Sequence, residues 1–269
     1  MKSLHKYVRT YLLGFQNAME YRVDFLLSIF SGSFIIIVQC FLWNAIFMSS
    51  QADVIYGYNY PQMITYSVFS GIVSKLVSTG FEWEMASDIK NGGLNKFLAQ
   101  PIHYFSYRIC SFLGRKTLQT IVLFIIMAVT IGVITIRWDM GIEVLRLVFF
   151  IIAIFFALLM NFLMFYCISM LAFVMTEVWG VFIAFSQGIF LLSGGVFPLD
   201  IFGEKVVAIS HFLPFEYIVF YPVNILTGHT SYDEIGLKMI IQVVWILIFV
   251  IIANRSWKIG MKKYVAVGG

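Results

Sequence analysis

Charge is scarce in this chain: Asp, Glu, Lys and Arg make up 12% of its 269 residues, whereas 61% are hydrophobic. Soluble domains carry about twice that share of charge, so the composition excludes an ordinary soluble protein. The three cysteines are scattered and have no metal-binding spacing. Several charge-free runs are long enough to cross a bilayer as helix. The chain has only five prolines, so few of these runs are interrupted by a helix-breaking residue. The net charge of +4 is too small to predict nucleic-acid binding.

Motifs for catalysis are also missing. The segment Gly114-Arg115-Lys116-Thr117 is not a Walker A motif, because it lacks the upstream glycine and places Arg between Gly and Lys. No HExxH motif occurs, and the carboxylates gather at the ends of the apolar runs, where solvation alone places them. We therefore expect no enzyme activity, and no ATP, cofactor or metal bound by this chain itself.

The apolar runs predict an all-α integral membrane protein with six transmembrane helices in one domain, residues 1–269. The expected spans are about 25–48, 62–81, 117–136, 147–176, 178–199 and 237–254. Before them, residues 2–20 place apolar side chains on one helical face and Lys2, Lys6 and Arg9 on the other. That pattern is typical of a helix lying in the membrane interface.

Lys and Arg are unevenly distributed among the loops. With both termini inside, thirteen of the eighteen lie in cytoplasmic segments and four lie outside. The positive-inside rule then predicts a multi-pass plasma-membrane protein with cytoplasmic N- and C-termini. The remaining one, Lys75, is the only ionisable residue well inside a predicted span. It is either a snorkelling or structurally paired cation, or a residue of a transport pathway.

The cytoplasmic loop between the second and third spans contains a short amphipathic pattern. Gly92, next to another glycine, is expected to break the chain, because glycine adopts backbone angles that other residues resist. Leu94, Phe97 and Leu98 follow at helical spacing, and Pro101 ends the run. The pattern predicts a short helix whose apolar face lies either on the lipid surface or in a groove of a partner protein.

Two apolar pieces between the fifth and sixth spans are too short to cross the bilayer, and Pro198, Pro214 and Pro222 punctuate them. They predict a re-entrant hairpin in the outer leaflet that closes the mouth of a pathway, since irregular backbone at membrane depth needs protein or a wet cavity around it. The alternative is an external loop folded over the membrane surface. Glu216, in the turn, is expected to reach water or a basic partner and to be labelled readily from outside.

These features together resemble the membrane subunit of type-2 ABC exporters, a family that includes exporters of O-antigen, teichoic acid and several drugs or peptides. The likeness rests on the order of short motifs along nearly the whole chain. They are Ile89, Gly92, Leu94, Leu98 and Pro101-Ile102 in the loop, residues 193–199 after the fifth span, Pro214, Tyr221-Pro222 and residues 226–228 in the hairpin, and the tail 264–269.

The resemblance implies an ATP-driven exporter in which two permease subunits, identical or different, pair around a pathway in contact with membrane lipid. Separate ATPase subunits would bind ATP and dock on the loop helix at Gly92, Leu94, Phe97 and Leu98, with a second contact at Glu177. The substrate would be amphiphilic: lipid-linked, or drug-like or peptide-like.

Two other functions remain open. An ion-coupled secondary transporter is expected to contain an inverted repeat and intramembrane acids, and neither is evident in the sequence. A lipid-modifying membrane enzyme is expected to place nucleophiles, carboxylates or histidines at one membrane depth, and the four histidines show no such arrangement.

Overall fold

The computed structural model describes residues 2–50, 52–100, 102–139 and 141–264. Pro101 and the tail residues 265–269, which contribute to the resemblance, lie outside the described residues, as does the side chain of Leu98.

The helices of the described part are α1 (Lys2–Glu20), α2 (Arg22–Ser50), α3 (Tyr60–Val77), α4 (Phe81–Lys90), α5 (Asn95–Leu98), α6 (Tyr104–Trp138), α7 (Val144–Ser169), α8 (Trp179–Leu192), α9 (Glu204–Ser210), α10 (Phe220–Thr227) and α11 (Tyr232–Lys263). Strands β1 (Val54–Ile55) and β2 (Tyr58–Asn59) form an antiparallel hairpin, and short 3-10 turns cover Met170–Phe173, Leu199–Phe202 and Phe215–Tyr217.

Among the described residues, four helices are long and apolar enough to cross a membrane: α2, α6, α7 with its 3-10 extension, and α11. They confirm an all-helical, multi-pass membrane protein. The other two predicted spans are shorter than expected, since α3 ends at Val77 and α8 has 14 residues. Fourteen residues of helix cover roughly 21 Å of a hydrocarbon core about 30 Å thick. Six crossings therefore stay a prediction.

The predicted N-terminal helix is present as α1, which packs along the first turns of α6. The two backbones approach closely at Gly14, where an added Cβ would lie 2.6 Å from the carbonyl oxygen of Ser111. The hydroxyls of Tyr11 and Thr117 are hydrogen-bonded at 2.8 Å. Leu12, on another side of α1, is 49% exposed. One side of α1 therefore contacts α6, and apolar side chains remain for the lipid.

The core lies where α3, α7 and α10 meet. Half of the α7 span is buried inside the chain, against 6% of the α2 span, so α7 is central and α2 is peripheral. Amide side chains join the central helices: Asn161 Nδ2 donates to the carbonyl oxygen of Val77 at 2.8 Å. Gln242 Nε2 donates to the carbonyl oxygens of Ala153 and Tyr217, both at 3.0 Å. Such bonds satisfy polar groups where no water reaches them.

The segment between α8 and α11 contains two short helices, α9 and α10, as the apolar pieces predicted. Every residue of α10 from Phe220 to Leu226 is buried inside the chain. α9 differs, because its Ile209 is 61% exposed. The hairpin is therefore anchored through α10, whereas its placement in the outer leaflet stays a prediction.

Candidate functional site

α4 and α5 form a helical hairpin directly after α3. Gly92 adopts a φ of +73°, which lets the chain reverse, and confirms the predicted break. Two backbone bonds close the reversal: Leu94 N donates to Asp88 O, and Asn95 N donates to Gly92 O, both at 3.0 Å. The predicted short helix follows as α5. The sequence did not predict α4, the longer arm of the hairpin.

The apolar face of this hairpin packs against the chain itself. Leu94 is 1% exposed and Phe97 is 7% exposed. The Phe97 ring centroid lies 4.9 Å from that of Tyr104 and 4.6 Å from that of Tyr107, both on α6. The sequence predicts that this face lies on lipid or in a partner groove, whereas Leu94 and Phe97 are covered by the chain itself. Amphipathicity shows that a face must be covered, and here α6 covers it.

A buried guanidinium joins the hairpin to α6. Arg108 is 4% exposed; its Nη1 donates to Glu84 Oε2 at 2.7 Å, its Nη2 to Asp88, and its Nε to Tyr104 Oη at 2.9 Å. Arg115 forms a second ion pair with Glu84. Burial alone would raise the pKa of Glu84, but the hydrogen bonds and charges of Arg115 and Arg108 lower it below its ordinary value. Glu84 is therefore ionised at neutral pH.

The turn that contains Glu177 lies beside the end of α4. Lys90 Nζ donates to the carbonyl oxygen of Thr176, which joins the hairpin to this turn. Glu177 and Asn91 are exposed, and the side chain of Lys96 is 60% exposed. The two segments for which the resemblance implies ATPase contacts therefore occupy neighbouring positions on one end of the molecule. We refer to Asn91, Lys96 and Glu177 as the loop surface.

A polar cavity of about 280 Å³ lies between α3, α7 and α8, next to the start of α4. Glu82, which lines it, is 6% exposed, and burial raises the pKa of its carboxyl group. Within the described part of the chain, Glu82 Oε2 and Asn161 Oδ1 have no hydrogen-bond partner. Ser186 and Gln187 extend the polar lining along α8. Unpaired polar atoms in a cavity can bind a polar group of a ligand.

Lys75 lies in the last turn of α3 and lines two cavities, one beside α2 and one at the junction of α1 and α2. Among the described residues, its ammonium has no hydrogen bond and no ion pair within 4 Å. Structural pairing of Lys75, one of the open alternatives, is therefore not observed. A pathway role for Lys75 stays a prediction.

Glu216 is buried between α9 and α10. It is 0% exposed, its Oε2 accepts a bond from Ser210 Oγ at 2.9 Å, and the same oxygen lies 2.8 Å from His211 Nδ1. Its Oε1 lies 3.4 Å from Lys238 Nζ of α11. The expectation that Glu216 is labelled readily from outside is wrong. The expected basic partner is confirmed in Lys238.

The three prolines stand at the starts of helical segments. Pro198 precedes the 3-10 turn Leu199–Phe202, and Pro214 precedes the turn Phe215–Tyr217. Pro222 lies in the first turn of α10, where a missing N–H removes no helical hydrogen bond. The prolines therefore shape the hairpin, and their role in a gate stays a prediction.

The turn after α8 is bound to several other elements. Tyr66 Oη of α3 donates to Gly194 O at 2.7 Å, and Phe220 N of α10 donates to Ser193 O at 2.8 Å. Gln39 Nε2 of α2 donates to Val196 O at 2.8 Å. This turn forms the first part of the motif at 193–199, from which part of the resemblance came. We refer to residues 193–196 as the α8 turn.

Sequence reasoning missed a cluster that joins the β-hairpin to the segment between α8 and α11. Tyr58 Oη donates to Asp200 Oδ2 at 2.6 Å, and its ring stacks on His229 with centroids 4.5 Å apart. His229 Nε2 lies 3.9 Å from Asp200 Oδ2. The three residues come from distant parts of the chain, and no spacing in the sequence relates them.

In the described residues, no group of three or more His, Cys, Asp or Glu side chains is placed to hold a metal ion.

The sequence was compared with known proteins and with models of protein families. Among curated proteins, none matches the chain. A family model described as "ABC-2 family transporter protein" matches residues 34–268, which is most of the chain. The chain therefore belongs to the ABC-2 transporter family, as a permease of the ABC-2 type.

Proposed function

We propose that this chain is the transmembrane subunit of an ATP-driven exporter, and that separate ATPase subunits dock on the loop surface. Both termini and the α4–α5 hairpin then lie on the cytoplasmic side. The observation that carries the proposal is the bond from Lys90 to Thr176, which brings the hairpin and the turn before α8 together. A docking protein can contact both segments at once.

The hairpin is attached firmly enough to transmit a displacement. Arg108 binds Glu84 and Asp88 of α4 from α6. At the junction of α3 and α4, Lys116 Nζ donates to the carbonyl oxygen of Ser78 at 2.7 Å. Charged hydrogen bonds of this kind are stronger than neutral ones. A movement of α4 would therefore move α3 and α6 with it.

Pairing with a second permease subunit, identical or related, is supported by α2 and α8. Ser186 and Gln187 are exposed in the middle of the apolar helix α8. Polar side chains at membrane depth are disfavoured against lipid and suit a subunit interface or a wet pathway. α2 is hardly buried in the single chain, and its Phe30 is 80% exposed. In the proposed assembly, α3 and α8 complete six crossings and α9–α10 form the outer hairpin.

An amphiphilic substrate suits the lining of the proposed pathway. The polar cavity with Glu82 and an apolar cavity beside α2 share Ile35, Ser74 and Phe190 in their walls. A molecule with polar and apolar parts would contact both. Lipid-linked, drug-like and peptide-like substrates all have this character.

The proposal is tested with the full chain in its membrane. The tagged chain is purified in mild detergent, and an ATPase with its own Walker A motif is identified with it by mass spectrometry. We expect the isolated chain to hydrolyse no ATP and the reconstituted complex to hydrolyse it, with activity lost when the Walker lysine of the ATPase is replaced. Uptake driven by an ion gradient in vesicles that contain this chain alone would contradict the proposal.

A further inference from the structure

Lys75 lies at the boundary between two cavities of different character. One cavity, of about 430 Å³, lies between α2, α3 and α6, and aliphatic side chains such as Ile72 and Leu123 dominate its lining. The other, of about 550 Å³, lies at the junction of α1 and α2 and is more polar, since Asn17 and Ser28 line it beside apolar residues such as Phe25. Lys75 lines both of them. An apolar space therefore meets a polar one at a cationic side chain.

The positive charge at this boundary has no counter-ion in the described part of the chain. Lys116 Nζ donates to three neutral acceptors: the carbonyl oxygen of Lys75 at 3.0 Å, and the carbonyl oxygen and Oγ of Ser78 at 2.7 and 3.2 Å. These bonds use all three ammonium donors but neutralise no charge. The Lys75 ammonium has no partner at all among those residues. The Lys75 ammonium, left without a counter-ion among the described residues, attracts an anion.

The two carboxylates that line the 550 Å³ cavity, Glu84 and Asp24, do not neutralise the charge of Lys75. Glu84 is already paired with Arg108 and Arg115. Asp24 lines the same 550 Å³ cavity, but it is exposed and forms no ion pair with any described residue. Exposed charges are screened by water and salt, so Asp24 neutralises Lys75 weakly.

We infer that Lys75 and the two cavities form a binding site for a phospholipid, with part of its acyl chains in the apolar cavity and its phosphate at Lys75. The parts of the site follow the order of the parts of a phospholipid. The apolar cavity would receive acyl chain, Lys75 would bind the phosphate, and the hydrogen-bonding side chains beyond it would contact the headgroup. It takes lipid from the leaflet on the side of α1. The inference does not depend on the proposed export function, because lipid binding is measured without an ATPase.

The role of the Lys75 charge is tested by titrating lipid into the purified full chain in detergent and measuring the unfolding temperature of the protein. We expect dioleoyl phosphatidylglycerol to raise this temperature at concentrations at least tenfold below those needed for dioleoylglycerol, which lacks the phosphate, or for inorganic phosphate. Lys75→Gln should weaken the lipid effect at least tenfold, whereas Lys75→Arg should retain it. Lys258→Gln, at an exposed lysine of α11, is the matched control and should change it less than twofold.

The apolar cavity is tested separately by filling it. Gly32 lines this cavity, and a Cβ added there meets no atom within 4 Å, so Gly32→Phe adds volume without a backbone clash. Gly132→Phe, at an equally open glycine of α6, is its control. We expect weaker lipid binding for Gly32→Phe alone, with both variants eluting as folded protein. Equal losses for Lys75→Gln and Lys258→Gln, unchanged binding by Gly32→Phe, or equal protection by inorganic phosphate would overturn the inference.

Discussion

Arg108 on α6 binds Glu84 on α4 through an Nη1–Oε2 hydrogen bond of 2.7 Å, although Arg108 is only 4% exposed. The residues are separated by 24 positions and belong to different helices. A buried cation of this kind is tolerated only because carboxylates surround it. The pair therefore fixes the position of the hairpin relative to the long helix α6.

Removing Arg108 should destabilise the chain strongly. Arg108→Ala removes its hydrogen bonds to Asp88 and Glu84, of which Glu84 keeps Arg115, and losing a hydrogen bond to a charged group costs roughly 1.5–3 kcal/mol. We expect a clear fall in the thermal unfolding temperature of the purified chain. Arg137→Ala, at an exposed arginine near the end of the same helix, should have little effect. Equal stability of the two variants would contradict a structural role for the Arg108 network.

Phe97→Ala distinguishes packing inside the chain from packing in a partner. Phe97 is buried against Tyr104 and Tyr107, so truncation should cost about 3–5 kcal/mol of stability in the isolated chain. If Phe97 were inserted into an ATPase instead, the isolated chain would be unaffected and only the complex would weaken. Thermal unfolding without any partner measures the difference.

Cross-linking should map the partner onto exposed residues of the loop surface. Cysteines introduced at Lys96 and Glu177 should form cross-links to an added ATPase subunit, because both positions are exposed. A cysteine at Phe97 is the buried control and should form none. Cross-links from position 97 but not from positions 96 and 177 would contradict the proposed docking.

Glu82 should make stability depend on pH. Burial raises the pKa of its carboxyl group, so the protein favours the protonated form. Its contribution to stability is full below the pKa of the unfolded state and is lost as the pH rises through the higher pKa of the folded state. Glu82→Gln, which stays neutral, should therefore be more stable than the wild type at pH 7.5 and nearly equal at pH 4. Thermal unfolding at both pH values tests this, and a stability difference that does not change with pH would contradict it.

The two acids near Lys238 should respond differently to substitution. Glu216 is buried, so Glu216→Ala leaves Lys238 without its buried partner at a cost of roughly 3–5 kcal/mol. Glu234 lies 3.8 Å from the same ammonium but is 57% exposed, and Glu234→Ala should cost at most about 1 kcal/mol. Chemical or thermal unfolding of the two variants gives the comparison. Similar losses would contradict burial of the Glu216 pair.

Features that depend on local sequence could be predicted. Long apolar runs gave the positions of α2, α6, α7 and α11, because crossing a bilayer demands them. The reversal at Gly92 also followed from the residue itself.

Features that depend on distant contacts could not be predicted. The apolar spacing of Leu94 and Phe97 indicates a covered face but does not identify the surface that covers it. Tyr58 and Asp200 are 142 positions apart, and one chain without an alignment carries no signal for such a pair. The sequence predicts an exposed Glu216 because a carboxylate in a turn must reach water or a basic partner rather than lipid. Glu216 is buried instead, beside Lys238 of α11, a partner 22 positions away in the sequence.

The bonds of the α8 turn have a mechanical consequence. Tyr66, in the first half of α3, donates a hydrogen bond to Gly194, and three residues separate the end of α3 at Val77 from the start of α4. The 18 residues of α3 form a rod of roughly 27 Å. Phe220 and Gln39 hold the same turn from α10 and α2. We therefore expect a displacement of α4 to reach the segment between α8 and α11 through α3, so that the two ends of this subunit move together.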